Sequence, residues 1–349
     1  MGRSDNQLQG QPGPQPEQSE LEFFKSVFDL IQKARRDLEK SVNTTMVVTY
    51  YEIGRRIVEK EQHGEKRAQY GKRILQGLSV YLTDNLGKGF SVENLKLMRR
   101  FYAIYSGNVI GQSPITQFNS NISWTHYIHL MRITNEDERR FYEHEIADNG
   151  WSIKEFQRQF DKSLYERLAL SRDKEKVREL AEKGQIIESP QDLFKSPYVL
   201  EFTGLPEKSS YTETELEQKL IDHLQQLLIE LGKGFGFMGR QVRFTFEEES
   251  FYVDLVMYNR LLRCFVLIDL KIGRLKHNDI GQMQTYVNYY DRKVKLSDEN
   301  PTIGIVLCKD KKEALVELML PEENNQIFAA RYQTILPSKE QLKKALDFE

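Results

Sequence analysis

Asp254 and, fifteen positions later, the Asp-x-Lys of Asp269 and Lys271 are the residues whose types and spacing could do chemistry. Asp254 lies in Phe251-Tyr252-Val253-Asp254-Leu255-Val256-Met257-Tyr258, and the other two in Cys264-Phe265-Val266-Leu267-Ile268-Asp269-Leu270-Lys271. Both runs are otherwise rich in β-branched, aromatic and aliphatic residues and read as buried strands. A charge in such a strand is costly unless it is paired or holds a metal. Side chains alternate faces along a strand, so Asp269 and Lys271 point the same way. A turn near Asn259–Leu262 would make the two runs an antiparallel pair. With an even loop, paired positions sum to an odd number and Asp254 shares a face with 265, 267, 269 and 271. A four-residue loop sets Asp254 opposite Leu267, and a two-residue turn at Leu261-Leu262 sets it opposite Asp269. In either register the carboxylates are near neighbours; an odd loop or a bulge would part them.

Two carboxylates that close repel, and one tends to protonate unless a cation lies between them. A hard divalent ion, Mg²⁺ or Mn²⁺, meets that need with carboxylate and water ligands, and the backbone carbonyl of Leu270 could add another oxygen. Lys271 beside the ion could orient an attacking water or neutralise a phosphate. The set suits metal-assisted phosphodiester hydrolysis. An inert buried ion pair is the plainer alternative, but buried pairs seldom add net stability. Asp/Glu-x-Lys also occurs at Glu217-Gln218-Lys219 and Asp310-Lys311-Lys312, so only its strand context makes 269–271 informative.

The elements that must position these residues follow from periodicity. Residues 21–105 carry apolar positions at helical spacing: Phe23 to Leu38, Val47 to Val58, and Ile74, Leu75, Leu78 and Leu82. Leu86-Gly87-Lys88-Gly89-Phe90 ends a helix, and Ser91 caps the next, which bears Lys96, Arg99 and Arg100. Helix, Gly-containing turn and basic helix outline a helix-turn-helix in which Lys88, Lys96, Arg99 and Arg100 would meet nucleic acid. Residues 106–122 read as a loop, followed by helices at Trp124–Ile133, Glu136–Asn149 (stopped by Gly150) and from Ser152 onward. The charged stretch 171–185 reads as an exposed helical connector. Thr214–Leu231 forms an amphipathic helix. Strands follow at Gln241–Phe246, Phe251–Tyr258 and Arg263–Lys271, then a helix over His277–Asp291, a strand at Thr302–Cys308, a helix over Lys312–Leu320, a strand at Tyr332–Leu336 and a short helix capped by Ser338. Leu-Gly-Lys-Gly-Phe recurs at 231–235; both copies fit a helix stop better than a phosphate loop. The fold class is α+β: a disordered tail over 1–19, a helical domain over 20–170, the connector, and over 186–349 a domain with a central mixed sheet.

Composition narrows the classes. The chain has 349 residues and formal charge −2, with no 18-residue apolar run and no basic-then-apolar leader, which points to a cytoplasmic protein outside the membrane. Residues 21–170 hold 23 Lys/Arg against 19 Asp/Glu, and residues 54–100 hold 11 against 5, a local excess that suits a polyanion as well as a solvated helix face. Cys264 and Cys308, the two cysteines, lie in apolar runs as small hydrophobes, not as a disulfide framework.

The order of elements with Asp254…Asp269-x-Lys271 resembles the PD-(D/E)xK, restriction-endonuclease-like nucleases. The resemblance implies a metal site joined by an acid of the core's first helix, matched by Glu217, with Glu213 one turn earlier as its rival. It also implies a role for Gln282, because RecB-like branches carry Gln-x-x-x-Tyr after the lysine, here Gln282-Met283-Gln284-Thr285-Tyr286. Closer still, Tyr258-Asn259-Arg260-Leu261-Leu262-Arg263-Cys264 through Gly281-Gln282-Met283-Gln284 is similar to the YhcG-type bacterial nucleases, and Trp124-Thr125-His126-Tyr127 is similar to that family's N-terminal domain. No proline precedes Asp254, a departure from the motif's name. The implied activity is Mg²⁺-dependent cleavage of nucleic acid, DNA first, by Asp254, Asp269, Lys271, Gln282 and Glu217, with Asp254, Asp269, Leu270 and Glu217 holding the ion. The alternative is an idle nuclease fold that binds nucleic acid or assembles a complex. A homodimer stays open, since enzymes of this kind often cut two strands as dimers. His126 and His129, three apart, lack a third metal ligand nearby; Lys276 and His277 are explained equally by solvation, and Tyr289-Tyr290 by packing.

Overall fold

The apolar runs around Asp254 and Asp269 become adjacent central strands because neither has a polar face to offer water. In the computed structural model, residues 18–62, 68–108, 118–207, 211–311, 316, 319–320 and 323–347 are described. Among them, six strands form one mixed sheet: β1 (Tyr198–Val199), β2 (Phe235–Phe246), β3 (Glu249–Asn259), β4 (Cys264–Arg274), β5 (Ile303–Asp310) and β6 (Ile327–Gln333). The order is β1-β6-β5-β4-β3-β2; β1, β6, β5 and β4 run parallel, and β3 and β2 join as antiparallel hairpins. With the preceding helices this is the expected α+β class.

Helices cover both faces, so β4 and β5 are near-continuous hydrophobic runs. Val266, Ile268 and Leu270 pack with Ile305, Leu307 and the helices Glu213–Asp222 and Leu224–Leu231 through Leu216, Leu220 and Leu227. Leu267 and Val306 pack on the other face with Met283, Tyr286 and Val287 of the helix His277–Tyr289. Each fully buried Leu, Ile or Val is worth about 2 kcal/mol relative to exposure, enough to fix which residues of β4 face which layer. Cys264 and Cys308 are buried free thiols in these layers.

Contacts divide the chain into two compact units, Met1–Arg132 and Ile133–Glu349. In the first, Gln18–Gln62 is one helix of 45 residues. The sequence suggested two; Thr44, Thr45 and Thr49 instead donate their hydroxyls to the carbonyls of Lys40, Ser41 and Thr45, satisfying within the helix the groups that favour a break. Gln18 and Ser19, read as tail, begin this helix, and 1–17 lie outside the described residues. Ser91 caps the helix Val92–Tyr105, whose Leu95, Met98, Phe101 and Tyr105 are buried. Gly54 lets the long helix approach it: a Cβ there would stand 2.1 Å from the Met98 carbonyl oxygen. Tyr51, Phe101, Phe118, Trp124 and Tyr127 complete an aromatic core with ring centroids 4.9–6.0 Å apart.

In the second unit the helices Glu136–Asn149 and Lys174–Lys183 belong with the sheet. The connector is helical but not simply exposed: Leu180 and Ala181 are buried. Arg167 forms a buried ion pair with Glu230, which also accepts the Val199 N–H. The helix expected over 214–231 breaks at His223 (φ −119°, ψ 38°), whose Nδ1 lies 3.0 Å from the Lys219 carbonyl; the apolar period runs through the break and hides it. β2 begins at Phe235, ahead of the expected Gln241, after Gly232 and Gly234 at φ 108° and 83°. β6 occupies Ile327–Gln333, displaced from the expected 332–336. Much of the helix expected over 312–320 and of the loop over 106–122 lies outside the described residues.

Candidate functional site

β3 and β4 pair from Asn259↔Cys264 to Leu255↔Ile268 and then part. Beyond that step β3 continues with β2 to Glu249, and β4 continues with β5 to Arg274. The candidate site residues lie in this fork. The register has the odd sum expected, and its next step would set Asp254 against Asp269. The turn that achieves it is Arg260–Arg263, held by Asn259, whose Oδ1 accepts the N–H groups of Leu261 and Leu262 at 3.0 and 3.1 Å. In place of a further backbone rung, Asp254 Oδ2 accepts the Leu270 N–H at 2.7 Å. The strand alternation slips here: Val253 and Val256 both face the His277–Tyr289 helix, while Leu255 and Met257 face the opposite layer. The simple shared face of 254 with 269 and 271 is therefore replaced by a carboxylate standing between two separating strands.

Asp269 is 2% exposed. Its Oδ2 meets no donor in hydrogen-bonding geometry but has Lys271 Nζ at 2.8 Å. Burial pushes its carboxyl up to about 6, against the pull of Lys271 and with the help of Asp254 and Asp279. For Lys271, burial opposes the charge, but Asp269, Glu213 and Asp254 outweigh it and raise the ammonium above the ordinary lysine value. Lys271 is therefore a cation at neutral pH.

Of the two helix acids, Glu213 reaches the lysine side: Oε2 is 3.9 Å from Lys271 Nζ, and Oε1 accepts the Ile272 N–H at 3.4 Å. Glu217 is buried and reaches the aspartate side through Gln241. The Gln241 amide donates to Glu217 Oε2 at 2.6 Å and to Asp254 Oδ1 at 2.9 Å. Burial raises the Glu217 carboxyl, the Gln241 bond lowers it, and Asp254 raises it further, leaving it above the usual glutamate value. Gln241 escaped the sequence reading. The pairs Arg240↔Leu255 and Val242↔Val253 bracket it opposite Asp254, and its φ is +46°, a left-handed value rare for a residue with a Cβ. Only the β2 register and that dihedral reveal it.

From the other layer, Gln282 donates to the Tyr286 hydroxyl, which donates to the Tyr252 carbonyl at 2.8 Å. Burial, then Asp269 and Asp254, push the Tyr286 hydroxyl up to about 12, so it stays a donor beside the acids. The glutamine and tyrosine of the expected pattern are joined and point to the fork's edge. Tyr289 stacks on Phe244 at 4.0 Å and Tyr290 packs on Phe265 at 5.4 Å.

The oxygen donors suit a hard divalent cation, which could engage the buried Asp269 carboxylate beside its ion pair with Lys271. Among the described residues no three His, Cys, Asp or Glu side chains converge as a finished metal cage. The Gln241 amide lies between two of the acids that would have to converge.

In the first unit, Lys96 pairs with Glu93 at 2.7 Å, Arg99 with Glu61 at 2.9 Å, and Arg100 donates to the Met131 carbonyl at 2.6 Å; Lys88 is exposed in the turn. His126 Nδ1 lies 2.9 Å from the Ser123 hydroxyl within a helix cap. Among the described residues no helix is long and apolar enough to cross a membrane.

Comparison with known proteins gives two family matches, the YhcG PDDEXK nuclease domain over residues 191–347 and the DUF1016 N-terminal domain over 26–167. A protein of Escherichia coli (strain K12) named "Putative nuclease YhcG" is 37% identical over 350 residues, covering 93% of each chain. Among solved structures, a repair endonuclease from Pyrococcus abyssi matches with a TM-score of 0.25 at 18% identity, over 36% of this chain and 50% of that one. EndoMS in apo form matches with a TM-score of 0.25 at 15% identity, over 38% and 49%. The chain thus spans about half the length of these two solved proteins.

Proposed function

The chain belongs to the YhcG family of PDDEXK nucleases, and on that premise we propose that it hydrolyses phosphodiester bonds of DNA in the cytoplasm with the help of a divalent cation, Mg²⁺ or Mn²⁺. The observation that carries this reading is the fork: Asp254, Asp269 and Lys271 meet where β3 and β4 part, with Asp269 buried against the lysine.

Asp254 and Asp269 would hold the cation, with the Leu270 carbonyl and Glu217 assisting. Bound there, it would neutralise phosphate charge and make water a better nucleophile. Lys271, held charged by its acid neighbours, donates a hydrogen bond to the attacking water or to the phosphate oxygen that gains charge. Its ammonium does not serve as the resting base. Asp254 is fixed in direction by the Leu270 N–H, so its second oxygen, which accepts from Gln241, is the one that would turn toward a ligand. Gln282, anchored through Tyr286 to the β3 backbone, positions a water or a phosphate at the rim. Lys88 of the preceding turn and Lys96, Arg99 and Arg100 of the helix Val92–Tyr105 contact the polyanion outside the scissile step.

The test is a cleavage panel of single-stranded, duplex and branched DNA and RNA with Mg²⁺ or Mn²⁺, using Asp254→Ala and Lys271→Ala as controls. Metal-dependent cleavage that both substitutions abolish is the expected result. Cleavage undiminished in both purified variants would sink the assignment. Salt-dependent binding of DNA with no cleavage of any substrate would mark the fold as a binding module.

A further inference from the structure

We propose that Gln241 is a positioning residue that occupies the place of the cation: its amide clasps Glu217 and Asp254 and must leave for metal to bind. The inference rests on the metal-dependent reading above and adds to it a built-in competitor.

Three observations carry it. First, ionised carboxylates only accept hydrogen bonds, so an amide bridging two of them must present its NH₂. The nitrogen lies 2.6 Å from Glu217 Oε2 and 2.9 Å from Asp254 Oδ1, with one hydrogen for each. A divalent ion drawn to the same two oxygens cannot share that point with two N–H bonds. Second, the position is enforced. Gln241 stands opposite Asp254 in the β2–β3 register with φ +46°, where a residue carrying a Cβ is strained. A strained backbone that directs one polar side chain between two acids is a local cost with a local return: the amide offsets their mutual repulsion. Third, the amide stands between Glu217 and Asp254, two of the acids that would have to turn toward one ion. Asp254 Oδ2 is already taken by the Leu270 N–H, so Oδ1, the oxygen Gln241 holds, is the one a cation would engage.

Releasing the amide exchanges two hydrogen bonds to charged groups for metal ligation. A hydrogen bond to a charged group is worth at least about tenfold in an equilibrium constant. Removing the competitor should therefore tighten metal binding even though it removes a polar group from the site.

Calorimetric titration of the full chain with Mn²⁺, and the shift in thermal midpoint that Mn²⁺ produces, test this without recourse to cleavage. Gln241→Leu keeps the bulk and removes the donors; Gln241→Gly removes the donors and suits the left-handed backbone, guarding against a folding defect in the first variant. Both should bind Mn²⁺ about tenfold more tightly than wild type. Gln241→Leu should also show a lower midpoint without metal, and both should show a larger midpoint rise with it. Adding Glu217→Gln to Gln241→Leu should return the affinity to the wild-type value or below. Affinity equal to or weaker than wild type in both single variants would overturn the placeholder role. Wild-type protein that binds no Mn²⁺, or binds it as well as Asp254→Asn does, would instead overturn the metal-dependent reading itself.

Discussion

The Asp254 carboxylate accepts the Leu270 N–H at 2.7 Å at the step where β3 and β4 cease to pair. One side chain thereby does two jobs: it closes the ladder where the strands separate, and it fixes the orientation of the acid in the gap. The structural job needs an acceptor oxygen, whereas the metal-binding role proposed for Asp254 needs negative charge.

Asp254→Asn and Asp254→Ala should separate these jobs. The asparagine can still accept the Leu270 N–H through its carbonyl, at the expense of the bond from Gln241, so it should lose less stability than the alanine, which strands that N–H and should cost about 1–3 kcal/mol. Both should lose cleavage by at least about a hundredfold, because neither carries the charge. Denaturant melts beside a cleavage assay decide the matter. Equal stability losses in the two variants would mean that the Leu270 bond is not what holds the fork.

How much of this could be read from the sequence depends on the range of the interaction. Asp254 and Asp269 were legible because a hairpin register needs only the parity of one short loop, and the turn at Arg260–Arg263 has that parity. The slip of alternation between Val253 and Val256 was not, because it arises where β3 leaves β4 and follows β2 alone. Gln241 was hidden for the same reason: its partner is set by a second hairpin containing a register shift between Phe237 and Gly239. In the sequence only the resemblance favours Glu217 over Glu213, one turn earlier; that Glu213 neighbours Lys271 and Glu217 neighbours Gln241 emerges only in the fold. Short-range signals did better. Ser91 and Ser152 start their helices and Gly150 stops its own as their types require, since a cap is decided within a few residues.

Gly54→Ala offers a check on the first unit. In an exposed helix the change would stabilise by about 1 kcal/mol. Here the new Cβ would stand 2.1 Å from the Met98 carbonyl oxygen and 3.0 Å from Tyr102 Cβ, close against a helix backbone that cannot swing away. Overpacking should win, and the variant should lose about 2 kcal/mol or more. A melting temperature at or above that of wild type would show that the two helices do not cross as described.

The basic helix makes a prediction about salt. Lys96, Arg99 and Arg100 each have a partner within their own unit, so binding to phosphate must exchange those bonds rather than employ idle charges. Replacing Lys88, Lys96, Arg99 and Arg100 together by alanine should weaken DNA binding at least about tenfold. It should also lower the slope of log affinity against log salt by about one for each phosphate that the variant no longer neutralises. An unchanged slope would remove this helix from the nucleic-acid interface.

Lys195 gives a prediction about pH that is independent of the fork. It is 4% exposed, and its Nζ donates to the Glu230 carbonyl at 2.5 Å. Burial lowers its ammonium from the ordinary 10.5 to about 8; nearby Glu230 and Glu145 resist the shift and Arg167 adds to it. Below pH 8 the lysine is charged in both folded and unfolded chains, and the cost of burying that charge is present in full. Between pH 8 and 10.5 the folded state has released a proton that the unfolded state retains, so this group's contribution to stability rises with pH. Measured against Lys195→Met, wild type should gain about 3 kcal/mol between pH 7 and 10.5, because the methionine variant lacks this titration while the other groups largely cancel. Urea melts of the two proteins at a series of pH values test it. Parallel stability curves would mean that water reaches the Lys195 ammonium and that its burial costs the fold nothing.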